Sequence, residues 1–302
     1  MRALIVNGVR IDNTFAEAFG MRATALIITA DSARWARQAA TTMTGFGTSV
    51  IGCGCEAGID RELTAKQTPD GRPGVRVLLF AVSTGELQKQ LTGRVGQCVL
   101  TSPGSACYAG LDGEERLKLG NALRYFGDGW QISKRFGGKH YWRIPVLDGE
   151  FLCEATTGLT KSAVGGGNLL IMGERARAAL AAAEAAVKAI GRVPDVVMPF
   201  PGGIARSGSK VGSKYKTVRA STNDPYCPTL KGAVKSALDA NVGSVLEIVI
   251  DGLTAASVGA AMAAGIAAIV KLGPKRGALR IGAGNYGGKL GRHHYHLKDL
   301  LP

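Results

Sequence analysis

The chain has 302 residues, of which 46% are hydrophobic and 20% charged, so it has the composition of a globular protein and not of a disordered one. Its six cysteines are scattered without a CxxC pair, which argues against a disulfide framework and a zinc ribbon and predicts a reducing, cytoplasmic location. The formal net charge is +14, yet the basic residues are spread along the chain and form no nucleic-acid-binding motif, so we expect no nucleic acid partner.

The amino-terminal residues predict a β-hairpin. The sequence LIVNGVRI places an Asn-Gly turn between two apolar runs, a pattern that typically closes a hairpin. The segment lacks the apolar run of about seven or more residues that a secretory signal needs. We assign residues 1–22 to this hairpin.

Two parts of the chain repeat the same order of elements. LIITADSARWARQAA, which begins at Leu26, predicts a strand followed by a helix, and LLIMGERARAALAAA repeats this pattern from Leu169. In each half a second apolar strand and a second helix follow, beginning at Val75 and at Val245. This order predicts an α+β protein with two duplicated, ferredoxin-like lobes of split β-α-β topology.

The lobes are predicted at residues 23–126 and 161–302. Between them, residues 127–160 alternate aromatic and polar side chains around Gly-Gly and Asp-Gly turns, which predicts an inserted β arm. Within the second lobe, residues 201–244 form a long connection that we expect to bind ligand. The most apolar stretch, Ala255 to Val270, falls short of the roughly 20 strongly apolar residues of a membrane span, so we expect a buried helix and no membrane.

The densest polar stretch of the chain runs from Pro201 to Thr229. Glycines that expose backbone N–H groups, serine hydroxyls, and the ammonium groups of Lys210 and Lys214 together favour an anionic or amide-bearing ligand. A solvated basic loop between two strands is the alternative interpretation.

Glu247 lies inside an otherwise apolar strand sequence, VLEIVI. In the repeat alignment its counterpart is Val77, so a carboxyl replaces an apolar residue there. Burial would raise the pKa of such a carboxyl, because it penalises the ionised form, and would leave an acid able to donate a proton near neutral pH. A wet strand face, or pairing with a basic residue, is the alternative.

Two motifs near the carboxyl end resemble ligand sites but lack the necessary context. Gly282, Gly284 and Gly287 have the spacing of a dinucleotide-binding loop, but too few residues follow for the second strand and its acidic residue, although such a loop can still turn tightly beside a ligand. His294 and His296 share one face of an extended segment, but two imidazoles without further ligands make an incomplete metal site. We therefore expect no metal, and a polar strand or oligomer contact at the histidines.

The chain resembles the formylmethanofuran:tetrahydromethanopterin formyltransferases over nearly its whole length. The shared words occur in family order: TFAEAF, TGFGTSVI, EAGID, TPDGRPGV, VGQCV, YFGDG, PFPGGI, SKVGSK, ASTND, YCPT, EIVIDGL and AGNYGGKLG. The resemblance implies duplicated ferredoxin-like lobes and assembly as a dimer or a dimer of dimers. Because this chain is basic, whereas the best-known archaeal members are acidic, the resemblance also implies a bacterial subunit that works with a formate-releasing hydrolase.

The reaction implied by the resemblance needs no metal and no tightly bound cofactor. A formyl group moves between a methanofuran-type (methylofuran) amine carrier with an acidic tail and nitrogen 5 of tetrahydromethanopterin or its dephospho form. The family's catalytic carboxyl lies in the word EIVIDGL, which implies that Glu247 is the acid that stabilises the tetrahedral oxyanion. The expected substrate-binding residues are Ser207, Ser209, Lys210, Ser213, Lys214, Ser221, Thr222, Asn223, Tyr226 and Cys227.

Two other functions are compatible with the sequence. A formamide hydrolase would use Cys227 or a serine as its nucleophile with an adjacent base, and the fold would have to bring His293 to Cys227. A basic, non-catalytic RNA-binding or assembly subunit is the other alternative. Release of formate without the pterin would indicate the hydrolase, and salt-sensitive RNA binding would indicate the second.

Overall fold

The computed structural model describes residues 4–301, so residues 1–3 of the predicted hairpin unit and residue 302 of the second predicted lobe lie outside it. Strands β1 (Leu4–Val6) and β2 (Val9–Ile11) form an antiparallel hairpin. Its turn residues, Asn7 and Gly8, both have positive φ, the conformation that Asn-Gly favours in tight hairpins. The hairpin is shorter than the predicted unit 1–22, because residues 15–22 already belong to the long strand β3 (Phe15–Thr29).

The first lobe packs two helices on one face of an antiparallel sheet with the strand order β5-β6-β3-β7. Helix α1 begins after Ser32, whose hydroxyl accepts a hydrogen bond from the backbone N–H of Trp35. Its buried residues include Ala36, Ala40 and Met43, at the spacing that places side chains on one helix face. The elements are α1 (Ala33–Thr44), β4 (Thr48–Ser49), α2 (Val50–Cys53), β5 (Cys55–Leu63), a 3₁₀ turn (Ala65–Gln67), β6 (Gly74–Ala81), α3 (Thr84–Arg94), a π turn (Val95–Val99) and β7 (Ala106–Ala109).

The segment between the lobes extends the sheet of the first lobe. Strands β9 and β10 form a hairpin around Gly137 and Gly138, and β10 pairs in turn with β11. Strand β11 runs parallel to β7, with Leu152 opposite Ala106, so this segment continues the sheet instead of standing apart. The elements are β8 (Arg116–Lys118), α4 (Gly120–Leu123), a 3₁₀ turn (Arg124–Gly127), β9 (Ile132–Phe136), β10 (Lys139–Val146), β11 (Gly149–Glu154) and β12 (Thr156–Gly158), which pairs with β8.

The second lobe has the strand order β14-β17-β13-β18, again with two helices on one face. Small residues such as Ala182 and Ala186 bring the two helices close to each other and to the sheet. The elements are β13 (Thr160–Gly173), α5 (Ala176–Ile190), β14 (Val196–Val197), a 3₁₀ turn (Pro201–Gly203), β15 (Ser209–Val211), β16 (Ala220–Thr222), two 3₁₀ turns (Asp224–Tyr226 and Pro228–Leu230), β17 (Ser244–Gly252), α6 (Ala255–Leu272), β18 (Arg280–Gly282), β19 (His293–His296) and a 3₁₀ turn (Leu297–Leu300).

Helix α6 is long and apolar enough to cross a membrane, and it is the one such helix within residues 4–301. Val258, Met262, Ile266 and Ile269 lie three or four residues apart and are fully buried. They pack in the core of the second lobe with residues of β13, β17 and α5, as the sequence predicts for a buried helix.

The two lobes share one mixed sheet, which joins 15 strands in the described part of the chain. Strand β3 passes from the first lobe into the second, where Gly20 lies opposite Val164 of β13. An ion-pair cluster also spans the lobes: Nη1 of Arg76 lies 2.6 Å from Oδ2 of Asp60 in β5 and 2.6 Å from Oδ1 of Asp195, which follows α5. The α+β class predicted from the sequence is therefore confirmed.

The strand register corrects one predicted correspondence between the lobes. Val77 packs beneath helices α1 and α3, whereas Glu247 lies opposite Leu170 on the face of β17 that is turned away from α5 and α6. The neighbouring Ile248 packs against those helices, because successive side chains of a strand point to opposite faces. The match of Glu247 with Val77 is therefore wrong by one residue, and Arg76 occupies the corresponding face of the first lobe.

Candidate active site

Glu247 lies in the middle of β17, between strand β13 and a single bridging residue. Leu170 of β13 is its partner on one side, and on the other its backbone exchanges two hydrogen bonds with Ala205, of 2.8 and 2.9 Å. The side chain is half-buried. Burial raises the pKa of the Glu247 carboxyl to about 7, in the direction that the sequence predicts, so the neutral and ionised forms are both populated near neutral pH.

Two adjoining cavities meet at Glu247. Cavity A has a volume of about 270 Å³ and cavity B a volume of about 220 Å³, and Leu170, Asn223, Tyr226 and Glu247 line both. Cavity A is further lined by Ala205, Arg206, Ser207, Gly208, Cys227, Pro228, Thr229, Val245 and Leu246, and cavity B by Thr14, Asn168, Ser209, Lys210, Ala283, Gly284, Asn285 and Tyr286.

The PFPGGI segment brings the polar connection against β17. Gly202 and Gly203 both have positive φ, of 62° and 80°, in the 3₁₀ turn that follows β14. A Cβ on Gly203 would lie 3.0 Å from Cγ2 of Val187, so glycine is needed there for both its conformation and its size. The turn directs Ala205 back to pair with Glu247, and the next residues then form the wall of cavity A.

Six of the ten predicted substrate-binding residues face the cavities. Cavity A is lined by Ser207 and Cys227, and cavity B by Ser209 and Lys210. Both cavities are lined by Asn223 and Tyr226. The ammonium group of Lys210 pairs with Asp224 and thereby lowers the pKa of that carboxyl. Burial raises the pKa of Tyr226, so its hydroxyl remains a proton donor.

The other four predicted residues line neither cavity. The Ser213 hydroxyl accepts a hydrogen bond from the backbone N–H of Tyr215, and the Ser221 hydroxyl donates one to the carbonyl of Gly212. Thr222 and Ser221 belong to β16, which forms a small hairpin with β15, and Lys214 is exposed between these strands. These residues shape the hairpin instead of the cavity wall.

The carboxyl-terminal glycine loop belongs to the candidate site, although the predicted substrate-binding residues do not include it. Ala283 to Tyr286 line cavity B together with Asn168 of β13. The side-chain amide of Asn168 makes two hydrogen bonds to the backbone of Gly284 in this loop. Its Oδ1 accepts from the Gly284 N–H at 2.6 Å, and its Nδ2 donates to the Gly284 carbonyl at 3.2 Å. A buried Asn in an otherwise apolar strand was the signal that would have indicated this contact.

The histidines and Cys227 do not form a site of their own. Strand β19, which contains His293, His294 and His296, pairs with β3, and no histidine lines either cavity. The Cys227 thiol donates a hydrogen bond of 3.4 Å to the carbonyl of Asn223, and His293 does not line cavity A, which Cys227 lines. No group of three or more potential metal ligands occurs within residues 4–301.

Two family models together match almost the whole chain. The model for formylmethanofuran-tetrahydromethanopterin formyltransferase matches residues 4–146, and the model described as the proximal lobe of FTR matches residues 149–300. The formylmethanofuran–tetrahydromethanopterin formyltransferase of Methylococcus capsulatus is 62% identical, over 99% of this chain and 100% of that protein. A subunit of the formyltransferase/hydrolase complex of Methylorubrum extorquens is 56% identical, over 100% of this chain and 98% of that protein.

Solved structures agree with these matches. The formyltransferase/hydrolase complex of Methylorubrum extorquens, solved with methylofuran, contains a chain that superposes with a TM-score of 0.97 at 55% identity, covering 100% of this chain and 99% of that one. The enzyme from Methanosarcina barkeri superposes with a TM-score of 0.92 at 44% identity, covering 98% and 100%. The resemblance seen in the sequence is confirmed, and so is the transferase class: the chain belongs to the formylmethanofuran–tetrahydromethanopterin formyltransferase family.

Proposed function

We propose that this enzyme moves a formyl group between the amine of a methanofuran-type carrier, such as methylofuran, and nitrogen 5 of tetrahydromethanopterin or its dephospho form. The observation that carries the proposal is the position of Glu247 where cavities A and B meet, with a pKa of about 7. Two adjoining cavities suit the reacting ends of two carriers, and a carboxyl between them can serve both. The carriers are co-substrates, and the proposal includes no tightly bound cofactor.

The chemistry follows from the neutral form of Glu247. Nitrogen 5 of the pterin attacks the formamide carbon, a new C–N bond forms, and negative charge develops on the formyl oxygen. The protonated carboxyl donates a hydrogen bond to this oxygen and stabilises it relative to the planar amide. The intermediate then loses the carrier amine, which accepts a proton while nitrogen 5 gives one up, so that charge and atoms balance.

Side chains of the polar connection are the proposed substrate ligands. Hydroxyl and thiol groups for cavity A would come from Ser207 and Cys227. An amide and a phenol for both cavities would come from Asn223 and Tyr226, and an ammonium group for cavity B from Lys210. We assign Ser209 to the same surface. Ser213, Lys214, Ser221 and Thr222 support the β15–β16 hairpin in this proposal and act on substrate only through it.

Lys210→Ala should raise KM for the carrier bound in cavity B by about tenfold while changing kcat little. A charged hydrogen bond contributes about 1.5–3 kcal/mol, reduced here by partial exposure, and a positioned ammonium binds ground and transition states alike. Lys214→Ala is the matched control, because the same side chain four residues on lines neither cavity. Steady-state kinetics of the two variants would contradict this division of roles if Lys210→Ala lowered kcat at constant KM, or if both variants raised KM equally.

Formyl transfer by the purified chain should require both carriers. We expect consumption of formylated furan carrier only when the reduced pterin is added, and no formate without it. Formate release in the absence of pterin, detected by chromatography, would instead favour the hydrolase alternative. Against that alternative, no histidine lines cavity A beside Cys227.

We infer that the lobes arose by duplication of one ferredoxin-like unit. The strand orders β7-β3-β6-β5 and β18-β13-β17-β14 are equivalent when the strands are counted from the start of each lobe, and each lobe has its helices on one face. Both orders are those of a split β-α-β sheet. Addition of β8–β12 between the lobes and insertion of the 201–244 connection in the second lobe would account for the differences between them.

The proposed setting is a cytoplasmic complex with hydrolase subunits, because the Methylorubrum extorquens relative is a subunit of such a complex. We also propose a homodimer or a dimer of dimers, which light scattering of the purified chain would measure.

Acidic tails on the carriers would explain the net charge of +14. If so, rising salt should lower kcat/KM more for a carrier with its tail than for one without it, since salt screens exposed charges over about 8 Å.

A further inference from the structure

Glu17 of β3 is a buried carboxylate that accepts only backbone hydrogen bonds. It is 1% exposed and forms no ion pair within residues 4–301. Its Oε2 accepts from the N–H groups of Tyr286 at 2.6 Å and Gly288 at 2.8 Å, and its Oε1 accepts from those of Leu290 at 2.6 Å and Gly291 at 2.7 Å. Desolvation raises the pKa of Glu17, but the four donors outweigh it and lower the pKa to about 2, so the group is ionised at neutral pH.

The loop around Glu17 is folded so that its N–H groups converge on one carboxylate. Gly287 and Gly288 have φ values of 78° and 73°, which turn the backbone in a way that side chains disfavour. The Asn285 amide donates to the Thr14 hydroxyl at 3.0 Å and to the Phe15 carbonyl at 3.2 Å, so the loop is tied to β3 at its start as well. The conformation of this loop therefore depends on β3, about 270 residues earlier in the sequence.

Tyr286 is the residue through which this loop reaches the site. Its N–H donates to Glu17, and the residue lines cavity B together with Glu247. Its ring lies 6.0 Å from that of Phe19, and the residue is 41% exposed. Burial and then the nearby carboxyls of Glu247 and Glu17 raise the pKa of Tyr286, so its hydroxyl keeps its proton close to Glu247.

We propose that the Tyr286 hydroxyl is a second hydrogen-bond donor to the formyl oxygen in cavity B, and that Glu17 is the positioning residue that fixes it there. The inference rests on formyl transfer at Glu247, as proposed above. It requires no new bond and no co-reactant: the phenol donates a hydrogen bond to the oxygen that gains charge, and Glu247 donates from its own side of the cavity. Preorganised donors that point at a developing oxyanion stabilise its charge, and the loss of one such donor slows the reaction.

Tyr286→Phe removes the hydroxyl and keeps the ring that packs against Phe19. We expect kcat to fall at least about tenfold, with KM within about threefold of the wild-type value, because the lost donor acts on the developing charge. Phe19→Leu, which changes the packing of the same ring without removing a donor, is the control and should leave kcat within about threefold. A wild-type kcat for Tyr286→Phe would overturn the inference.

Glu17→Gln tests the positioning role. The amide cannot accept from two of the four N–H groups, so the loop shifts and kcat should fall about as far as in Tyr286→Phe, with KM less affected. The double variant Glu17→Gln/Tyr286→Phe should be no slower than the slower single variant within about twofold, because both remove the same contact. Multiplying losses would show that Glu17 acts elsewhere in the fold and would overturn its role.

The wild-type enzyme assayed with both carriers separates this inference from the proposed function. Transfer by the wild type together with a fully active Tyr286→Phe would leave formyl transfer standing and remove Tyr286 from it. Absence of transfer by the wild type would overturn both.

Discussion

Glu247→Gln should lower kcat for formyl transfer at least about a hundredfold while changing the affinity for either carrier by less than about threefold. The amide fills the same volume, but its N–H is a weaker hydrogen-bond donor than the O–H of a carboxylic acid, so it stabilises the charge on the formyl oxygen less. Glu184→Gln is the matched control, since it makes the same substitution on the exposed face of α5 in the same lobe. Near-normal turnover of Glu247→Gln would remove Glu247 from the mechanism.

The pH dependence of kcat is a second test of the proposed role of Glu247. In the proposed mechanism the protonated form of Glu247 is the active one, so kcat should be constant at acidic pH and fall about tenfold per pH unit above the pKa of about 7. In Glu247→Gln this decline should disappear. A decline that persists in the variant would indicate that another group titrates.

Ionisation of Glu247 should also lower the free energy of unfolding. Its folded pKa is raised above its ordinary value of 4.5, so its favourable contribution is complete below about pH 4.5 and is lost as the pH rises through about 7. At pH 8, Glu247→Gln should therefore be more stable than the wild type by about 3 kcal/mol, and the difference should vanish near pH 4. Loss of activity together with gain of stability is the expected result for a buried catalytic acid.

Arg76→Ala should lower the free energy of unfolding by about 3–5 kcal/mol. The Arg76 side chain is 9% exposed, and that of its partner Asp60 is 1% exposed, so the substitution leaves a buried carboxyl without its closest cation. Arg61 also approaches Asp60, at 3.4 Å, but its side chain is 45% exposed and replaces little of the lost contact. The loss should be visible in urea unfolding at pH 7, and because Asp195 follows α5, it should affect both lobes together.

Arg37→Ala is the control for Arg76→Ala. Arg37 pairs with Glu62 at 2.5 Å, but both side chains are about 60% exposed (59% and 61%), and an exposed pair of this kind contributes about 1 kcal/mol or less. The contrast between the variants thus measures burial and not the presence of an ion pair. Equal costs for the two substitutions would show that the Arg76 cluster does not hold the lobes together.

The sequence by itself determined the α+β class and the family, and it supplied the proposal that Glu247 is the catalytic acid. Strand and helix periodicity indicated two β-α-β units because hydrophobic spacing is a local property of the chain. Long shared words such as AGNYGGKLG and EIVIDGL established the family, and a carboxyl inside an apolar strand pointed to Glu247 because burial alone shifts its pKa. None of these conclusions needed knowledge of which distant residues meet.

Only the tertiary structure decided which side chains share the site. Lys210 and Lys214 are alike in sequence and both are exposed, but Lys210 lines cavity B and Lys214 lines neither cavity. The glycine loop at Gly284 joined the site because it is anchored to Thr14 and Asn168, which are far away along the chain. The match of Glu247 with Val77 failed because a shift of one residue in a strand moves a side chain to the opposite face, and that register is fixed by pairing between strands and not by the strand's own sequence.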